Sequence, residues 1–212
     1  MNPDDKKRLI ERYNERLQKF GASFEALNSG TEDRRRLRFD ILTQIGIASG
    51  DSVLDLGCGF GDYLLYCRQR SLDVRYTGID INPLMIEKAK ERLPGVEFFV
   101  KDLQIDAIEP HDYVVSTSCF NLKLKNEDNY AYLEEILRRC YAIARKGVAV
   151  DLLTDYVDFR GVPEAFHYSP ERIFSIAKKI TKRTCLRHDY PLFEFCIYLY
   201  PDFKGWRVPD AK

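Results

Sequence analysis

Long apolar runs are missing from this 212-residue chain. The longest, such as 148–150 and 195–199 with Cys196 and Tyr198 inside it, fall far short of the roughly 18 residues that cross a bilayer, so no membrane span is expected. An excess of one charge is missing too. With 33 Lys+Arg against 33 Asp+Glu, the chain has no electrostatic footprint for gripping long phosphate backbones, and nucleic acid is a disfavoured partner. The six cysteines (58, 67, 119, 140, 185, 196) contain no C-x-x-C pair, and a chain of this size builds its core without disulfides. They read as reduced cytoplasmic thiols, and without clustered ligands no metal site is expected. The first residues, M-N-P-D-D-K-K, are polar and acidic, unlike a secretory or transit segment, which again points to the cytoplasm. Internal repeats and low-complexity tracts are absent.

Helix and strand periodicity organises the rest. The length suits one compact domain, read as an N-terminal helical cap over 1–48 and a core over 49–212. Helical spacing of Leu9, Ile10, Tyr13, Leu17 and Phe20 predicts a helix from 4 to about 20 that ends at Gly21. A loop over 22–30 follows, and Thr31-Glu32-Asp33 then caps a second helix. From residue 50 short apolar runs alternate with amphipathic stretches. Strands are expected at 52–56, 74–79, 96–100, 112–117, 147–153, 183–189 and 194–200, with helices near 62–71, 83–93, 127–145 and 170–180. That alternation predicts an α/β fold, a Rossmann-like parallel sheet with helices on both faces. Only residues 190–193 separate the last two strands, too few for a parallel crossover, so the seventh strand must return antiparallel.

The first strand runs into its helix through V-L-D-L-G-C-G-F-G-D (53–62). Its glycines allow a tight bend and let a ligand lie against bare backbone. A dinucleotide fingerprint would place its third glycine at position 62, where Asp62 stands. A carboxylate there disfavours pyrophosphate and tolerates a sulfonium or ammonium, which favours S-adenosylmethionine over NAD. Asp80 ends the second strand 23 residues after Gly57, near the spacing of an acid that takes ribose hydroxyls. Asp102 follows the third strand, where an acceptor can meet the adenine amino group. Asp55 and Asp62 also fit plain turn or cap roles.

V-L-D-L-G-C-G-F-G, G-I-D-I-N-P and F-V-K-D-L resemble motifs I, II and III of the class I S-adenosylmethionine-dependent methyltransferases, over roughly residues 50–200. The resemblance implies that Asp55, Gly57 and Gly59, with Cys58 between them, line the methionine part of the donor. It further implies that Asp80 binds ribose, that Ile81 packs on the ring, and that Asp102 with Leu103 flanks adenine. Ser116, at the end of the fourth strand, is counted with this set. The tail H-D-Y-P-L-F-E-F and the early R-Y-N and L-R-F are similar to small bacterial methyltransferases of surface-glycan and secondary-metabolite pathways. That likeness implies a helical lid, with Tyr13 and Arg38 reaching in and Arg38 pairing with the methionyl carboxylate. Arg34, Arg35 and Arg36 read as a solvated basic face.

Ligands of open parallel sheets bind beyond the carboxyl ends of the strands. Phe120 and Asn121, Tyr156 and Tyr168, and Tyr190 and Glu194 leave strands at that edge and are candidate acceptor contacts. Of the three histidines, His111 belongs to the opposite edge. His188, oriented by Asp189 or Glu194, and His167 are candidate proton acceptors, although His188 equally suits a buried hydrogen-bonded role. Residues 116–120 hold no proline, so the [D/N/S]-P-P-[Y/F/W] chemistry of base-modifying amino methyltransferases is not expected. The expectation is methyl transfer from S-adenosylmethionine to an oxygen or nitrogen of a small molecule, leaving S-adenosylhomocysteine. A dinucleotide oxidoreductase, a nucleic-acid methyltransferase and a non-catalytic pocket are the alternatives.

Overall fold

The computed structural model of the chain describes residues 1–27, 30–159 and 162–202. Residues 28–29 of the expected loop, and 160–161 and 203–212 of the expected core, lie outside the described residues. Three helices precede the sheet. In α1 (Pro3–Phe20) the Asn2 side chain accepts from Asp4 N–H and Pro3 opens the first turn, a sound helix start. The four-residue α2 (Phe24–Leu27) falls in the stretch read as loop, being too short for periodicity to register. Thr31 caps α3 (Glu32–Thr43), its side chain accepting from Arg34 N–H.

The core alternates as expected: β1 (Ser52–Leu56), α4 (Asp62–Gln69), β2 (Arg75–Asp80), α5 (Pro83–Arg92), β3 (Glu97–Val100), β4 (His111–Ser116), α6 (Asn129–Ile143), β5 (Ala144–Leu153), α7 (Pro170–Ile180), β6 (Arg183–Arg187) and β7 (Glu194–Tyr200). The strands form one sheet in the order β3-β2-β1-β4-β5-β7-β6. β7 pairs antiparallel with both β5 and β6, and the other pairs are parallel. Most boundaries fall within two residues of expectation, and the largest difference is in β5. β5 starts three residues early, directly after α6, because Ala144 bridges His111 before a register shift.

Strand alternation divides the core into two faces. Leu54, Leu56, Val114, Val148, Val150, Phe195 and Ile197 face α6 and α7. Val53, Tyr113, Val115, Ala149, Cys196 and Tyr198 face α3, α4 and α5. The same alternation sends Asp55, Asp151 and Glu194 to the α3 side, where buried carboxylates need partners.

No helix among the described residues is long and apolar enough to cross a membrane.

Candidate active site

The bend after β1 opens a crevice at the carboxyl edge of the sheet, about 1140 Å³ including its solvent-open part, and α1 to α3 wall it. Gly57 sits at φ +74°, and a Cβ there would stand 2.5 Å from the Cys119 Sγ, so only glycine fits. Gly61 precedes α4 in the left-handed region, without a side-chain cap for that helix.

The two expected acids both line this crevice from neighbouring strand ends. Asp80 accepts from Gly59 N–H (3.2 Å) and Asn82 N–H (2.9 Å), which fixes its carboxylate across the bend. A carboxylate offers about four acceptor sites, so capacity remains for a ligand. Burial raises the Asp80 pKa against backbone hydrogen bonds from Asn82, Gly59 and Ile81. Asp102 accepts from Gln104 N–H (3.0 Å) and from Lys6 Nζ of α1 (2.8 Å). Deeper in, Asp55 accepts from the Tyr76 hydroxyl (2.7 Å). Its pKa is pushed up to about 7, chiefly by burial and further by the charges of Asp80 and Asp62.

α1 is fastened over the crevice through its polar side chains. Asp5 is fully buried and accepts from Lys125 N–H (2.9 Å) and Asn126 N–H (2.8 Å). Arg8 donates to the Lys123 carbonyl (2.6 Å), and the Asn82 amide donates to Asn14 Oδ1 (2.9 Å). Tyr13 reaches the crevice as expected, and burial raises its phenol pKa to about 12.

Gly57, Cys58, Gly59, Ile81, Leu103 and Phe120 also line the crevice. Other expected residues are placed elsewhere. Ser116 is fully buried behind the wall, donating to the Leu56 carbonyl (2.8 Å). Asn121 stitches loops, its Oδ1 accepting from Leu153 N–H and its carbonyl from Phe166 N–H. Tyr168 is a core residue that donates to the Phe120 carbonyl (3.0 Å). The Tyr190 hydroxyl is buried without a hydrogen bond among the described residues. Tyr156 is 61% exposed, donates to Glu171 (2.5 Å), and shares an open depression with His188.

Neither expected proton acceptor lines the crevice. His188 lies against Tyr156 and Phe195 rings, each 6.0 Å away, and both residues expected to orient it are engaged by arginines. Arg187 takes Asp189, and Arg38 takes Glu194. The His167 Nδ1 is 2.7 Å from the Thr154 carbonyl. His111 sits at the opposite edge, at the start of β4.

Two arginine expectations need correction. Arg38 does line the crevice, but its guanidinium is spent on Glu194 rather than presented to a ligand carboxylate. Arg35 is not solvated. Its side chain is 15% exposed, and it lines the crevice 3.4 Å from Asp62. Asp62 in turn is paired with Arg92 (2.7 Å), so its charge is compensated and would not repel pyrophosphate as the spacing argument assumed.

A profile described as "Methyltransferase domain" matches residues 53–142, from the glycine bend through α6. Rv1506c of Mycobacterium tuberculosis, itself named only as a methyltransferase, is 35% identical over 159 residues, spanning 72% of this chain and 95% of that protein. This chain belongs to the class I S-adenosylmethionine-dependent methyltransferases. A Trans-aconitate 2-methyltransferase of Paracidovorax citrulli is 34% identical over 79 residues, 37% of this chain and 30% of that protein. The fold also matches magnesium protoporphyrin IX methyltransferase from Synechocystis PCC 6803 (TM-score 0.64, 15% identity, 93% of this chain and 98% of that one).

Family membership removes the dinucleotide oxidoreductase reading and makes S-adenosylmethionine the cofactor. In this methyltransferase the crevice is also lined by residues that the sequence did not mark as site residues, Arg35 and Phe39 of α3 and Ile136 of α6, and by Cys119 in the segment leaving β4. Ser118, in the same wall, holds φ +54°, and its N–H donates to Asp151 (2.5 Å). No local pattern announces a serine in that conformation, because a partner on β5 imposes it.

Proposed function

We propose that this methyltransferase acts on an oxygen or nitrogen of a small-molecule acceptor, with the donor lying across the bend at Gly57–Gly59. The observation that carries the reading is the pair of crevice-lining carboxylates, Asp80 and Asp102, at adjacent strand ends beside a bend where a Cβ would collide. In this reading Asp80 accepts from the ribose hydroxyls, Ile81 and Leu103 pack on the adenine, and Asp102 accepts from its amino group. Bound there, the donor supplies a methyl group on a sulfonium, already activated for in-line displacement.

The chain's own part is to bind, orient and exclude water. α1 roofs the crevice through Asp5, Arg8 and Asn14, which supports a compact acceptor over a polymer. The balanced charge supports the same choice. No histidine among the described residues lines the crevice, which favours an acceptor that reacts without a histidine base.

Incubating the protein and labelled donor with metabolite extracts, and identifying products by mass, tests this. Label in small metabolites supports the reading, and label confined to nucleic acid or protein overturns it.

A further inference from the structure

The crevice wall after β4 carries a backbone conformation that its residue type disfavours. Ser118 sits at φ +54°, in the left-handed region where a residue other than glycine is strained. Thr117, Ser118, Cys119 and Phe120 line the crevice in succession. The Cys119 side chain fills the space that a Cβ on Gly57 would need, so wall and bend interlock at that contact. Phe120 and Asn121 have anchors of their own, the Tyr168 hydroxyl donating to the Phe120 carbonyl (3.0 Å) and Leu153 N–H to Asn121 Oδ1 (2.9 Å). Ser118 is held from β5, where the almost wholly buried Asp151 accepts from its N–H through Oδ1. A buried charge is expensive, but a hydrogen bond to a charge is strong enough to outweigh the strain of one residue. The Arg38 guanidinium, with Nε 3.5 Å from Oδ2, compensates the carboxylate behind the wall.

We propose that Asp151 is a positioning residue for the donor site, holding Ser118 in its strained conformation so that Cys119 stays seated against the Gly57 bend. The inference rests on the donor position proposed above. Without the carboxylate, residue 118 relaxes to negative φ, the peptides beside it rotate, and the 117–119 segment leaves the shape that interlocks with the bend. Only molecules with the wall in place then bind donor, and the apparent affinity falls with their share of the population. A glycine at 118 meets no such strain, so it keeps the wall conformation accessible even when the carboxylate is gone.

Calorimetric titration with S-adenosylhomocysteine, together with the rate at which iodoacetamide alkylates each cysteine of the native protein, tests the assignment. Asp151→Ala should lower affinity about 5- to 30-fold, the population shift that a strained left-handed residue sets. Adding Ser118→Gly to that variant should bring affinity back to within about threefold of wild type. Cys119 should be alkylated about tenfold faster in Asp151→Ala, while Cys67 and Cys140, fully buried in the core, keep their wild-type rates. An unchanged affinity in Asp151→Ala, a double variant no better than the single, or a quickening of all three cysteines together overturns the role of Asp151 while leaving the donor site standing. If Asp151→Ala does not fold, Ser118→Val leaves the buried charges intact and strains the same φ further. It should free Cys119 alone, and an unchanged Cys119 rate overturns the proposal. A wild-type protein that does not bind S-adenosylhomocysteine overturns the donor site and this inference with it.

Discussion

Arg38 on α3 and Glu194 at the start of β7, 156 residues apart, face each other as a forked pair. Nε to Oε2 is 2.5 Å and Nη2 to Oε1 is 2.9 Å, and both side chains are buried. Asp151 on β5 adds a second carboxylate 3.5 Å from the same Nε, with its Oδ2 otherwise without a hydrogen bond among the described residues. The guanidinium thus ties the helical cap to the last strands of the sheet. Its value depends on both partners staying in place, because one buried charge left alone is far worse than none.

Removing the carboxylate of Glu194 should therefore be severe. Glu194→Ala is expected to lower stability by about 3 kcal/mol, the lower end for breaking a buried pair, since Asp151 remains to the guanidinium. Urea unfolding at neutral pH measures it, and a loss below about 0.5 kcal/mol would mean the pair contributes nothing net.

Asp80 fixes the bend and, in the proposed site, holds ribose. Asp80→Ala should weaken S-adenosylhomocysteine binding by about 1.5 to 3 kcal/mol, the range of a hydrogen bond to a charged group. Asp80→Asn keeps an acceptor oxygen and should lose less. Unchanged affinity by calorimetry would move the ribose contact to another residue.

The raised pKa of Asp55, about 7, gives donor binding a pH dependence with a definite sign. A cationic ligand favours the ionised carboxylate, so below pH 7 binding must expel a proton, and affinity should climb toward pH 7 and level off above it. Folding runs the other way. The native state holds the Asp55 proton more tightly than the unfolded chain, so this group's stabilising contribution is complete below about pH 4 and is lost as pH rises through 7. Titrations in buffers of different ionisation enthalpy count the proton, and Asp55→Asn should abolish its release. Proton release that persists in Asp55→Asn assigns it elsewhere.

Asp5 fastens the roof. Burial works against its charge, but the Lys125 and Asn126 N–H groups and the Arg8 guanidinium outweigh it and lower its pKa. Its hold on the 123–127 loop is therefore present above the ordinary carboxylate range and is released as pH falls through the lowered value. Asp5→Ala should speed amide exchange in α1 about tenfold or more, with the sheet core unaffected. Equal protection in both proteins would show that apolar packing alone seats α1.

Much of the fold was legible because its signals are local. Alternating strands and amphipathic helices marked all seven strands, and the short gap expected at 190–193, which the fold widens to 188–193, forced β7 to run backwards. The glycine bend, Asp80 and Asp102 were legible as well, since turn geometry and strand-end position follow from short spacing. The acceptor side was not. Tyr168, Asn121 and Ser116 leave the correct edge, yet each is consumed by a backbone partner that the fold brings to it.

What the sequence determined by itself is the sheet, its reversed last strand and a nucleotide-type crevice at the bend after β1, because those depend on neighbours within a few residues. The tertiary structure decided which charges are spent. α3 carries Arg34, Arg35, Arg36 and Arg38 within five positions, and only the packing of that helix against β5, β7 and α4 gives Arg38 to Glu194 and leaves Arg35 facing the crevice. An ion's partner is set by distance in space, and no spacing along the chain encodes it.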